Sequence, residues 1–164
     1  MKIIILCISL LVCSSFNNDE RQITYQGLYN EILEQGLEFP DIVFAQAVLE
    51  SGHFKSKIFK KNKNLFGMKY PSKRESFSLG KKYGYSVYEF WEDSVEDYYL
   101  YQEFIFNNKK ISRSQYLSKL DRTYASKKGY SKKLQVIITN FKKVLYSPPR
   151  DRNDGIFGNQ LVKL

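Results

Sequence analysis

The chain has 164 residues, 43% of them hydrophobic and 26% charged, with a formal net charge of +9. Those proportions exclude a disordered chain and fit one globular domain with a real core. The positive excess suits an anionic partner such as nucleic acid, a membrane surface or an acidic wall polymer, and suits plain solubility equally well.

Lys2 is followed by an apolar run to Cys13 and then by Ser14 and Ser15. A charged start, a short apolar stretch and small residues at its end have the shape of a signal peptide over residues 1–15. The run is too short for a permanent membrane span, so it predicts export to the periplasm, cell envelope or exterior. Both cysteines, Cys7 and Cys13, fall inside it. Cleavage after Ser15 leaves no disulfide and no thiolate chemistry. Lipidation at Cys13 is the lesser reading, because Leu10-Leu11-Val12 lacks the small residue expected just before a lipidated cysteine.

Residues 16–23 read as a short polar leader. Thr24 is placed to cap a first helix with Tyr25, Leu28, Tyr29, Ile32 and Leu33 at helical spacing, and Gly36 is placed to end it. Pro40-Asp41 opens a second helix. Its Ile42, Ala45, Gln46 and Leu49 form one face, and Val43, Phe44, Ala47 and Val48 cover the rest, which predicts burial on all sides. Lys55 to Lys63 reads as a basic surface helix or loop, and Ser76 to Val87, with Gly80 and Gly84, as a hairpin. Trp91 to Asn107 predicts a long helix with Val95, Tyr98, Tyr99, Gln102 and Ile105 along one side and Asp93/Ser94 near its cap. A shorter helix follows over Arg113 to Leu120. Ser131 to Tyr146 is the last helix, with Leu134, Ile137, Ile138, Phe141, Val144 and Leu145 inward, stopped by Pro148-Pro149. The domain therefore spans residues 24–146 and leaves a tail at 147–164. Thirteen Tyr, twelve Phe and one Trp would suit a surface that is apolar and hydrogen-bonding together, as sugars and nucleobases require.

One residue breaks the pattern. The apolar second helix ends on Glu50, with Gly52 just beyond. The negative end of the helix disfavours a carboxylate there, and burial would do the same. An acid kept protonated near neutral pH is a proton donor of the kind that glycosidic cleavage needs at the leaving oxygen. On position alone, the commoner fate is a solvent-facing glutamate at a frayed helix end.

Four segments then occur in order: Ala45-Gln-Ala-Val-Leu-Glu-Ser-Gly52, Asn64-Leu-Phe-Gly-Met-Lys69, Val87-Tyr88 before Trp91-Glu-Asp-Ser94, and Tyr124-Ala-Ser-Lys-Lys-Gly-Tyr130. Together they resemble the bacterial glucosaminidase domain of glycoside hydrolase family 73, from about Thr24 to Tyr146. The resemblance implies an α+β, mainly helical, lysozyme-like fold with a helical lobe, a small β-hairpin lobe and a glycan groove between them. It implies hydrolysis of the β-1,4 bond between N-acetylglucosamine and N-acetylmuramic acid in peptidoglycan strands, with Glu50 as general acid. Glu75 is the nearest match to a second carboxylate that activates water, and a solvated loop residue is an equal reading. If Glu75 is idle, the acetamido group of the substrate would serve as nucleophile. Tyr124 and Tyr130 match paired tyrosines, Tyr124 read as catalytic and Tyr130 as more structural. Asn64, Phe66 and Met68 would shape the groove floor, and Tyr88 and Trp91 would stack on sugars, though core packing is the commoner fate of Trp91.

No metal or organic cofactor is implied, since His53 alone cannot build a metal site. No nucleic-acid motif appears, and a monomer is expected. Two alternatives stand beside the hydrolase: a lytic transglycosylase of the same superfold, and a glycan-binding module that has lost its chemistry.

Overall fold

The computed structural model describes residues 22–107, 109–123 and 129–146. The apolar start, most of the leader, Tyr124 and the tail 147–164 lie outside the described residues. The elements run α1 (Tyr25–Glu34), α2 (Pro40–Glu50), α3 (Lys57–Asn62), β1 (Gly80–Lys82), β2 (Tyr85–Val87), α4 (Trp91–Phe106), α5 (Arg113–Thr123) and α6 (Tyr130–Tyr146).

Helix α2 is the axis of the fold. Phe39, in a left-handed conformation, turns the chain into Pro40, whose fixed φ suits the first helical turn. Asp41 accepts from the Ile42 amide and takes a two-pronged bond from Arg113 at 2.7 and 2.9 Å. That tie fastens the start of α2 to α5. Every residue from Ile42 to Val48 is buried, as its apolar circumference requires. Helices α6 and α1 cover it, with Phe44 stacked on Phe141 at 3.9 Å and Tyr29 edge-on to both. Burying one such Phe contributes about 1.5–3 kcal/mol.

The Thr24 hydroxyl caps α1 by accepting from the Gly27 amide. Leu28 and Ile32 are buried, but Leu33 is 51% exposed, off the packed stripe. On α6, Leu134, Ile137, Ile138 and Phe141 are buried. On α4, Val95, Tyr98, Gln102 and Phe106 are buried, while Tyr99 and Ile105 are only partly so. A polar network threads this core. Tyr98 donates to Gln46 Oε1 at 2.7 Å and shares a hydrogen bond with Tyr116, which accepts from Gln102. Gln102 also pairs with both backbone groups of Glu38. These bonds satisfy most of the buried polar groups in the network, the exception being Gln46 Nε2, which has no hydrogen-bond partner among the described residues.

The small sheet is antiparallel, with Gly80 opposite Val87 and Lys82 opposite Tyr85. Tyr83 and Gly84 both have positive φ, 54° and 83°, the geometry of a tight two-residue hairpin loop. Strands this short have no stability of their own. Two asparagines fasten them to the helices. Asn62 Nδ2 donates to the carbonyls of Lys82 and Ser86, and Asn64 Nδ2 to those of Met68 and Ser86. The Met68 amide returns a bond to Asn64 Oδ1.

Candidate active site

Glu50 is the last residue of α2, and the chain leaves it through a tight turn. Gly52, His53 and Phe54 all have positive φ, between 55° and 65°. For His53 and Phe54 this costs roughly 1–2 kcal/mol each, so neighbours must hold it. Ser51 donates to the Val48 carbonyl and accepts from the Phe54 amide. The Phe54 ring packs against Tyr25 at 5.0 Å and Phe59 at 5.8 Å. His53 Nδ1 lies 3.0 Å from the Tyr25 hydroxyl. Burial, aided by Lys55, depresses the His53 pKa, so the ring is neutral near neutral pH. Among the described residues no group of three metal-ligating side chains comes together.

The Glu50 carboxyl is partly buried, and Tyr130 in the first turn of α6 donates to its Oε1 at 2.7 Å. Three influences act on its proton. Burial raises the pKa, whereas the Tyr130 hydrogen bond and the charge of Lys133 lower it; burial wins, and the value stands above that of a free glutamate. Tyr130 was read as the more structural of the two tyrosines, yet its hydroxyl touches the acid itself. Removing that hydroxyl removes one of the two groups that favour the anion. In Tyr130→Phe the pKa of Glu50 is therefore expected to rise further, and if Glu50 serves as a general acid the alkaline limb of a pH–activity profile should move to higher pH.

The other candidates are placed as follows. Tyr124 lies outside the described residues. Glu75 is exposed, and its backbone carbonyl accepts from Arg74. Asn64, Phe66 and Tyr88 are 1%, 0% and 3% exposed. Phe66 stacks on Tyr98 at 4.0 Å, and the Tyr88 hydroxyl donates to Asp97 at 2.7 Å. These three side chains act as scaffold beneath the surface and offer no face to a sugar. Met68 is 7% exposed but lies at the edge of an open groove, and Trp91 is partly buried against the core.

Sequence reasoning missed the group that organises the hairpin side. Asp97 is fully buried. It takes two bonds from Arg74, at 2.8 and 3.0 Å, one from Tyr88 and one from the Phe77 amide. Burial alone would raise its pKa, but the Arg74 and Tyr88 bonds prevail and hold it below an ordinary aspartate. A helical pattern carries no sign of an inward charge unless its distant partner is known.

The open cavities among the described residues include two of similar size. One, of about 440 Å³, runs between the Gly67–Arg74 loop and α4 and includes Tyr101, Phe104 and Thr123. The other, of about 430 Å³, has Glu38, Phe39, Glu103, Phe106, Lys109, Lys110 and Ile111 around it. Glu50 lines neither.

A mainly helical body with a small stapled hairpin, carrying a carboxylic acid of raised pKa at the end of its central helix, has the build of a lysozyme-like glycoside hydrolase. The chain belongs to the glucosaminidase family, described as mannosyl-glycoprotein endo-beta-N-acetylglucosaminidase, which it matches over residues 27–143. Among solved structures it is similar to the catalytic domain of the autolysin Auto from Listeria monocytogenes. The TM-score is 0.53 and the identity 20%, over 75% of this chain and 85% of that one. At that identity the likeness speaks for the fold, which is lysozyme-like. Comparison with curated proteins gives no match.

Proposed function

We propose that the protein is an exported peptidoglycan hydrolase that cleaves the β-1,4 bond between N-acetylglucosamine and N-acetylmuramic acid, with Glu50 as general acid. The observation that carries this reading is the Glu50 carboxyl, with its pKa raised by burial and one oxygen held by Tyr130. Such a group gives up its proton to a leaving oxygen more readily than an ionised surface glutamate could. The likeness to an autolysin catalytic domain supports wall glycan as substrate, and the apolar start of the chain supports export. No helix among the described residues is long and apolar enough to cross a membrane.

Glu75 is proposed as the second carboxylate, which takes a proton from the attacking water. Tyr124 would then steady the acetamido group or that water. Glu75→Gln is expected to lower kcat about 100-fold while leaving KM nearly unchanged. A fully active Glu75→Gln would move the second role to the acetamido group of the substrate.

Digestion of purified cell walls, followed by mass analysis of the fragments, tests the whole reading. New reducing ends at N-acetylglucosamine are expected. Anhydro ends would indicate a transglycosylase, and intact walls a binding module.

A further inference from the structure

The groove between the Gly67–Arg74 loop and α4 has an unusual charge balance. Its lining includes Lys69, Lys73 and Arg74 and no carboxylate. Arg74 is already committed: its side chain is 7% exposed and bound at both prongs by Asp97. Lys69 and Lys73 are exposed, and neither has an acidic partner within 4.0 Å among the described residues. The wall opposite is aromatic, formed by Tyr101 and by Phe104, which is 52% exposed. The other cavity differs, because Glu38 and Glu103 there answer Lys109 and Lys110.

Two uncommitted ammonium groups beside apolar walls, in a space of about 440 Å³, suit a small ligand that is anionic and partly apolar. The hydroxyls and acetamido groups of the sugars are neutral, and the lactyl carboxyl of N-acetylmuramic acid is uncharged wherever it is amide-bonded to a branching peptide, so on such strands the free carboxylates belong to the peptide. A short peptide with free carboxylates uses both features. We propose that this groove binds the carboxylates of the peptides that branch from the glycan, through Lys69 and Lys73. The inference rests on peptidoglycan being the substrate. Glu50 does not line the groove, whereas the proposed Glu75 and Tyr124 adjoin its lining residues Arg74 and Thr123 in sequence, so peptide binding there is expected to act chiefly on substrate affinity.

The test compares glycan strands that carry their peptides with the same strands stripped by an amidase and then capped as neutral amides at the lactyl carboxyls so exposed, using the intact protein and the double variant Lys69→Gln/Lys73→Gln. Both lysines are exposed, so the variant is expected to fold. The unaltered protein should show a KM about five-fold lower on peptide-bearing strands, as two solvent-screened ion pairs allow. Added salt should shrink that advantage and the double variant should abolish it, with kcat little changed. Binding of a free tetrapeptide with two carboxylates, followed by calorimetry, should weaken about as much in the double variant. Equal KM on both kinds of strand overturns the proposal. So does a loss in the variant that is as large on stripped strands, or stronger competition by poly(glycerol phosphate) than by the tetrapeptide. Absence of turnover on both strands would remove the hydrolase reading alone, because tetrapeptide binding still decides the groove.

Discussion

Glu50→Gln is expected to abolish wall digestion, lowering kcat by about 10²–10⁴-fold, the range that a positioned general acid supplies. Gln keeps the size of the side chain, and its carbonyl can still accept from Tyr130. The loss should therefore appear in kcat and leave wall binding intact. Stability should move the other way. The folded pKa of Glu50 lies above the free value of 4.5. As pH rises through 4.5 the unfolded chain ionises freely while the folded protein resists, so this group withdraws stability between its unfolded and folded values. Gln carries no such penalty. The variant should thus melt at the same temperature as the parent at pH 4 and at an equal or higher temperature at pH 7. Full activity with unchanged fragments, or a sharp fall in melting temperature at pH 7, would remove Glu50 from the role of buried acid.

The second large effect is expected at Asp97. Asp97→Ala strands the Arg74 guanidinium, whose side chain is only 7% exposed, and leaves the Tyr88 hydroxyl and the Phe77 amide without their acceptor. Removing one partner of a buried ion pair typically costs about 3–5 kcal/mol, a large share of the roughly 5–15 kcal/mol by which a domain of this kind is held together. Urea denaturation of parent and variant measures it. The pH dependence has a definite sign. The Asp97 pKa is depressed below 3.8, so its contribution is fully present above that value and fades as pH falls through the folded one. The parent should lose stability in that acid window and Asp97→Ala should not. A variant within about 1 kcal/mol of the parent would show that Arg74 reaches solvent or another partner once Asp97 is gone, and that this pair does not hold the hairpin side.

Much of the fold was legible because it is governed by local rules. Thr24, Gly36, Pro40 and Gly84 act at the backbone positions they occupy, and α2 is buried all round as its composition demands. The candidate acid was legible for the same reason: a carboxylate at the end of an apolar helix is visible without knowing any tertiary contact. What escaped depends on contacts distant in sequence. Tyr130 meets Glu50 across 80 positions, and no spacing rule marks such a pair. Asp97 sits on α4 among residues that read as one more polar face, and only the folding back of Arg74 turns it inward. Phe66 reads as groove floor and Tyr88 as a sugar-stacking ring because aromatic content does not distinguish a ring that faces solvent from one that packs against Tyr98 or hides beside Asp97. The left-handed run at His53 and Phe54 also went unseen, since neither residue type favours it and only its surroundings enforce it.

The two carboxamides that hold the hairpin give the molecule an uneven resistance to opening. Hydrogen bonds contribute about 1 kcal/mol each, so beyond the reach of the Asp97 cluster the two short strands are expected to open before the apolar seams around α2 do. If Glu50 is the acid proposed above, it stands on the best-packed helix of the molecule, away from the part held mainly by polar contacts.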